Sequence, residues 1–216
     1  MSETPADTPK RQRAPSKRAL QTKARVLDAA ETVFSIKGFD GATIRDIAAE
    51  AGEPVGTIHH HGGGKERLYH QAVARRAGPL AERRLAALAA VKAAGDVTIE
   101  RVLTAFCSPF FDLAQEDPVW RCYARLVAQV SADSRWREIR AAHFDPAFEV
   151  FLEELSALLP DVPRRHIVAT FVFSVSALLA LLTSRDRIGE FEAGDIQDTE
   201  DLRSLIRFCA GGMAAG

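Results

Sequence analysis

Three consecutive histidines, His59-His60-His61, run directly into Gly62-Gly63-Gly64-Lys65, the densest group of chemistry-bearing residues in this 216-residue chain. Imidazoles ligate metals, move protons near neutral pH, and meet phosphate when charged. Metal chemistry fits this run poorly. Neighbouring helical side chains point about 100° apart, so three in a row cannot converge on one ion, and only Glu66 and His70 stand close enough in sequence to add ligands. A phosphate loop fits no better, because the spacing and the preceding strand are missing. No Gly-x-Ser-x-Gly, ligand-spaced metal cluster or carboxylate pair in a Gly-rich setting occurs elsewhere. An enzyme, a metal site and a cofactor are therefore not expected. Cys107, Cys122 and Cys209 are odd in number and lack metal-type spacing. They read as small apolar residues in a reducing cytoplasm. What remains for the histidines is a ridge facing solvent or DNA. Charged imidazole would meet phosphate there, and duplex affinity would rise as pH falls from about 8 to about 6.

The elements that must hold this ridge are legible. Thr43 is a good N-cap, and Asp46 three residues on makes a variant of the capping box. Ile44, Ile47, Ala48 and Ala51 repeat at the spacing of one buried helix face. Gly52 supplies a left-handed stop, and Pro54 suits the first turn of a second helix over about Val55–His61. Two short helices at a tight corner are the shape of a helix-turn-helix DNA reader. An ordinary helical hairpin has the same spacing.

The flanking segments favour the reader. Arg18 to Lys37 predicts one helix, with Leu20, Ala24, Leu27, Ala30, Val33 and Phe34 as its apolar stripe, closed by Gly38 with Phe39 folding back. Another helix starts at Lys65. Residues 1–78 carry 13 Lys and Arg against nine Asp and Glu, whereas residues 79–216 carry 15 against 20. The basic half thus coincides with the reader, as attraction to phosphate requires. Residues 1–16 hold Pro5, Pro9 and Pro15 with almost no apolar side chains and read as a disordered tail. Lys10, Arg11, Arg13, Lys17 and Arg18 would either track phosphates or simply solubilise the chain. No apolar stretch of secretion-signal type follows.

Taken together, Lys23–Phe34, Gly38-Phe39-Asp-Gly-Ala-Thr43, Ile44-Arg-Asp-Ile-Ala48, Ala51-Gly52, Gly56-Thr-Ile58 and Lys65-Glu-Arg-Leu68 resemble the N-terminal domain of TetR/AcrR-family transcriptional regulators over about the first 75 residues. The resemblance implies an all-α homodimer, with a three-helix DNA-binding domain at 17–64 and a helical ligand-binding and dimerisation domain at 65–216. It implies DNA contacts from Thr43, Arg45, Val55, Thr57, His59, His60, His61 and Lys65. Lys65 would meet backbone phosphate at a helix start.

Four positions depart from the family pattern. Glu53 replaces an apolar residue and would be repelled by phosphate, Pro54 replaces a Ser N-cap, and His59 replaces a Tyr. Gly62 replaces a Phe that packs behind the reading helix. A vacancy there would cost about 3–5 kcal/mol unless it collapses, so the junction is expected to be soft unless another side chain fills it.

The body reads as helical throughout: Lys65–Val91, Thr98–Gln115, 118 to about Ala132, Arg135 to about Leu159 with a bend or junction at Pro146, Arg164–Arg185, and Asp201–Ala210 ending at Gly211-Gly212. Hydrophobic residues at 47% suffice for its core. Ile167–Leu182 is free of charge over 16 residues, short of the roughly 20 of a membrane span, and contains Thr170, Ser174 and Ser176. A buried helix that also meets a partner is expected, not a membrane anchor. By resemblance the last two helices form the dimer interface, through Phe171, Val175, Leu178, Leu179, Leu182, Leu202, Leu205 and Ile206. Two-fold symmetry would then set two reading helices on a pseudo-palindromic operator.

Phe106, Phe110, Trp120, Tyr123, Phe144, Phe148 and Phe171 are candidates to line a ligand cavity, with Arg121, Arg125, Gln129 and His143 to orient the ligand. The expectation is a cytoplasmic repressor released by a small, largely apolar or amphipathic effector. The competing expectation, resting on Glu53 and Gly62, is a dimeric helical carrier of hydrophobic ligands whose DNA-binding head is impaired.

Overall fold

The computed structural model describes residues 16–184, 190–191 and 198–216. Among them every regular element is helical. The basic tail therefore lies outside the described residues, apart from Ser16.

Helix α1 (Lys17–Gly41) is capped by the Ser16 hydroxyl, which accepts from the Ala19 amide at 3.2 Å. Full burial starts only at Val26 and continues through Leu27, Ala29, Ala30, Val33 and Phe34. Leu20 was expected on this stripe but is exposed, because it precedes the part of α1 that the other helices cover. Gly38, at φ 68°, kinks the end of α1. The kink turns Phe39 back among Phe34, Tyr69 and Trp136, with ring centroids at 6.2, 5.3 and 4.8 Å.

Helix α2 (Ile44–Ala51) carries the complete capping box. The Thr43 hydroxyl accepts from the Asp46 amide at 3.1 Å, and the Asp46 carboxylate accepts from the Thr43 amide at 2.9 Å. Lys37 reaches the same carboxylate at 2.8 Å, and these donors hold the Asp46 carboxyl down at about 2. Thr43→Ala removes one side of the box and should cost about 1 kcal/mol in a denaturant titration. Gly52, left-handed at φ 62°, ends the helix. Helix α3 (Val55–Gly62) follows with Pro54 at its N-cap, and Ile58 is its fully buried anchor.

The expected vacancy at Gly62 does not exist. Gly62 is buried, and a Cβ placed on it would stand 3.2 Å from Leu68 Cδ1. Leu68, wholly buried at the start of the next helix, occupies the space that a larger side chain would need. Gly62→Phe should therefore destabilise by about 1–3 kcal/mol through overpacking, read as a lower denaturation midpoint. Gly64 sits at φ 110°, where L side chains are strained, and it links α3 to α4.

Helix α4 (Lys65–Ala93) is the long strut of the molecule. It packs on α1 and on α5 (Ile99–Glu116). Helix α6 (Val119–Ala132) packs across α1 and onto α9 (Arg164–Thr183). The segment from 134 to 158, expected as a helix with a bend or junction at Pro146, has the junction: a 3-10 turn (Ser134–Trp136) and α7 (Arg137–His143) precede α8 (Asp145–Leu158). Pro146 lies in the first turn of α8 and so opens that helix. Helix α9 is long and apolar enough to cross a membrane by length and composition alone. It packs against α6, α8 and the final helix. That final helix, α10 (Asp198–Ala214), starts three residues earlier than expected and continues through Gly211-Gly212. Met213, with no exposed surface, anchors its last turn, and His166 Nε2 lies 2.9 Å from the Gly212 carbonyl.

Side chains tie the first three helices to the rest. Glu31 is fully buried and accepts from Arg76 Nε at 2.6 Å, while Arg75 meets Asp28 at 2.6 Å. Within the body, the Tyr123 hydroxyl of α6 donates to the Val73 carbonyl of α4 at 2.8 Å. Arg135 clasps Asp40 through two bonds of 3.0 and 2.7 Å, and also reaches Asp133 at 2.7 Å.

Candidate functional site

Helix α3 offers its outer face to solvent. Val55, His59 and His60 are exposed, and Thr57 and His61 are half-buried. The His60 and His61 rings meet edge to face at 4.9 Å. Thr43 and Arg45, at the start of α2, are exposed as well. The inner face of α3 is pinned by Ile58. A short helix held from behind with polar and imidazole groups in front has the form of a major-groove reader.

The charges around this face are arranged within the chain. Lys65 Nζ donates to the Asp40 carbonyl at 3.3 Å and lies 4.5 Å over the Phe39 ring, so this ammonium is positioned at the start of α4 before any partner arrives. Glu53 pairs with Arg25, and the repulsion expected from its carboxylate is offset by that guanidinium.

The body holds a cavity of about 260 Å³ that is open to solvent on one side, where Asp145, Val172 and Ser176 are exposed. Phe106, Phe110, Phe144 and Phe148 line it, as expected from the sequence. Trp120, Tyr123 and Phe171 do not. Phe171 stacks behind the wall, 4.3 Å from Phe148 and 4.9 Å from Phe106. Tyr123 is spent on Val73, and Trp120 lies 5.3 Å from the Arg76 guanidinium. The polar candidates Arg121, Arg125, Gln129 and His143 also fall outside the lining, whose polar groups are Arg84, Arg140, Asp145, Ser131 and Ser176. Sequence gave no signal for Arg84, one arginine among several on an Ala- and Arg-rich helix.

The residues expected at a dimer face are also relocated. Phe171, Leu178, Leu179, Leu182, Leu202 and Ile206 are buried within the single chain and have little surface left for a partner; Val175 and Leu205 are half-buried. Val175, Leu178 and Leu179 line the cavity instead. The large apolar side chains that α9 and α10 leave in solvent are Val172, Phe173 at 66% and Phe208 at 76% exposure.

The family model for bacterial regulatory proteins, tetR family, matches residues 26–72, and that for the tetracyclin repressor-like C-terminal domain matches residues 104–212. The chain belongs to the TetR family of transcriptional regulators. It therefore combines the family's DNA-binding domain with its C-terminal ligand-binding domain. A comparison with curated proteins found no match. Among solved structures, a regulator from Shewanella sp. PV-4 assigned to the family aligns with TM-score 0.64 at 18% identity, covering 88% of this chain and 96% of that one. A TetR-like transcriptional regulator from Rhodococcus sp. RHA1 aligns with TM-score 0.61 at 21% identity, covering 94% and 100%. The regulator FadR from Bacillus subtilis, in complex with stearoyl-CoA, aligns with TM-score 0.56 at 18% identity, covering 88% and 98%. At these identities the likeness of the TetR-family chain to each neighbour is one of fold.

Proposed function

We propose that this TetR-family protein is a homodimeric repressor that reads a pseudo-palindromic operator through α3 and is released by a small, largely apolar or amphipathic effector held in the body. The observation that carries the reading is the two-sided α3: Ile58 buried behind, His59 and His60 exposed in front, with Arg45 and Thr43 alongside. We divide the chain into a DNA-binding head at 17–64 and a body from 65 onward, and place the protein in the cytoplasm. The stearoyl-CoA bound to the Bacillus subtilis neighbour supports an amphipathic effector. Arg25 paired with Glu53 and Leu68 packed beside Gly62 favour a working head over the carrier reading. Duplex affinity measured against salt tests the choice. A reader making several phosphate contacts loses affinity by about 10³ or more between 50 and 200 mM salt, whereas a carrier has no duplex affinity to lose.

We place the dimer on the surface that carries Phe173 and Phe208, because large exposed apolar groups on neighbouring helices mark an interface. Phe173→Glu combined with Phe208→Glu should sediment as a monomer; an unchanged dimer moves the interface elsewhere.

Release requires the cavity to reach the head, and a physical route is present. Arg140, which lines the cavity, donates to the Val130 and Asp133 carbonyls at 2.7 and 2.8 Å. Asp133 binds Arg135, and Arg135 holds Asp40 beside Lys65. Arg135 is half exposed, so Arg135→Ala should leave the denaturation midpoint nearly unchanged. It should nevertheless remove most of the effector's influence on operator affinity, a coupling typically worth about 5- to 150-fold. Operator titrations with and without effector read this directly.

A further inference from the structure

The cavity wall contains a charge with no counter-charge. Arg84 is about nine-tenths buried on α4, with its guanidinium carbon 3.8 Å over the Phe106 ring and 5.8 Å from that of Phe110. Its Nε donates to the Phe106 carbonyl at 2.9 Å. That is its one hydrogen bond among the described residues, from a group with five donors. No described carboxylate pairs with it. The titratable groups that act on it are Cys107 and Tyr123. Burial pushes the Cys107 thiol up to about 12 and raises the Tyr123 hydroxyl further, so both are neutral at pH 7. Burial also lowers Arg84 to about 10, which leaves it charged at neutral pH. The cavity lining as a whole holds two arginines and one aspartate, a surplus of one positive charge.

An isolated buried cation is costly, and at the largely buried Arg76 the cost is met by Glu31. At Arg84 the missing partner faces an aromatic-lined space. A guanidinium with free parallel donors matches a carboxylate through two bonds. At about 260 Å³ the cavity falls just under the roughly 300–1,000 Å³ of sites for drug-sized ligands, so the occupant is small.

We propose that the effector is a small carboxylic acid with an apolar body, and that Arg84 receives its carboxylate while Phe106, Phe110, Phe144 and Phe148 enclose the rest. This rests on the reading of the body as an effector-binding domain and names the chemical class that the domain takes. Arg84 then acts as a specificity residue: it rejects neutral molecules of the same shape, because they leave its charge unpaired.

Calorimetric titration of the purified full-length protein at pH 7 with octanoate and 4-phenylbutyrate, each beside its uncharged primary amide, tests the proposal. Wild type should bind at least one acid tenfold or more tightly than its amide. Arg84→Met should erase that preference, and Arg84→Lys should keep part of it. Amides that bind wild type as well as the acids would overturn the role of Arg84 while leaving the effector cavity intact. Failure of both acids and both amides to bind would overturn the cavity reading itself. The melting temperature of ligand-free Arg84→Met supplies an independent readout. Removing an uncompensated charge for an apolar side chain of similar size should leave it unchanged or raise it. A fall of more than about 4 °C would make Arg84 a strut for the Phe106 carbonyl and would also count against the proposal.

Discussion

Ile58→Ala should destabilise the head by about 2–5 kcal/mol and abolish duplex binding. Ile58 has no exposed surface and is the buried apolar side chain of an eight-residue helix. A helix this short has little stability of its own, and packing of one face holds it. The same substitution that opens a cavity thus also frees the face that carries His59 and His60. Denaturant titration and duplex binding on the same sample read both effects. A variant that keeps wild-type affinity would mean that α3 does not seat the reading face.

Glu31→Ala should cost about 3 kcal/mol, the lower end for breaking a buried ion pair, because Arg76 retains some access to water. The substitution strands the Arg76 guanidinium between α1 and α4 and loosens the joint between head and body. The pH dependence has a definite sign. Burial outweighs Arg76 and Arg75 and raises the Glu31 carboxyl above its usual 4.5. A carboxyl with a raised folded-state value binds its proton more tightly when folded, so its stabilising contribution grows as pH falls towards 4.5 and is lost as pH rises through the raised value. The stability of wild type relative to Glu31→Gln, which never ionises, should therefore increase from pH 7 down to pH 5. A relative stability that falls over this range would show that the arginines dominate.

The head was more legible in the sequence than the body, for physical reasons. Thr43, Asp46, Gly52 and Pro54 act through local backbone chemistry, and each appears at the expected point of α2 and α3. Gly62 was misleading because its neighbour in space, Leu68, belongs to the next helix; a residue-by-residue comparison sees the missing ring and not the side chain that replaces it. In the body, aromatic content pointed to Phe106, Phe110, Phe144 and Phe148, and these four line the cavity. It could not separate them from Trp120, Tyr123 and Phe171, whose burial in plain packing depends on which side of each helix faces the cavity. The same uncertainty of helix rotation moved Leu178 and Leu179 from the expected partner face to the cavity wall. Arg84 had no sequence signal, since its distinction is the absence of a nearby anion. The Gly211-Gly212 pair did not stop α10, where tertiary contacts of Met213 and His166 outweigh local propensity.

Selection of binding duplexes from a random pool, with wild type beside the double variant His59→Ala and His60→Ala, tests the central claim most directly. Wild type should enrich a two-fold-symmetric site whose half-sites lie about one or more DNA turns apart. The double variant should lose preference at the bases nearest α3 while keeping phosphate-driven affinity. Enrichment of no sequence by wild type, or of the same site with equal preference by the double variant, would contradict the assignment of α3 as the reading element.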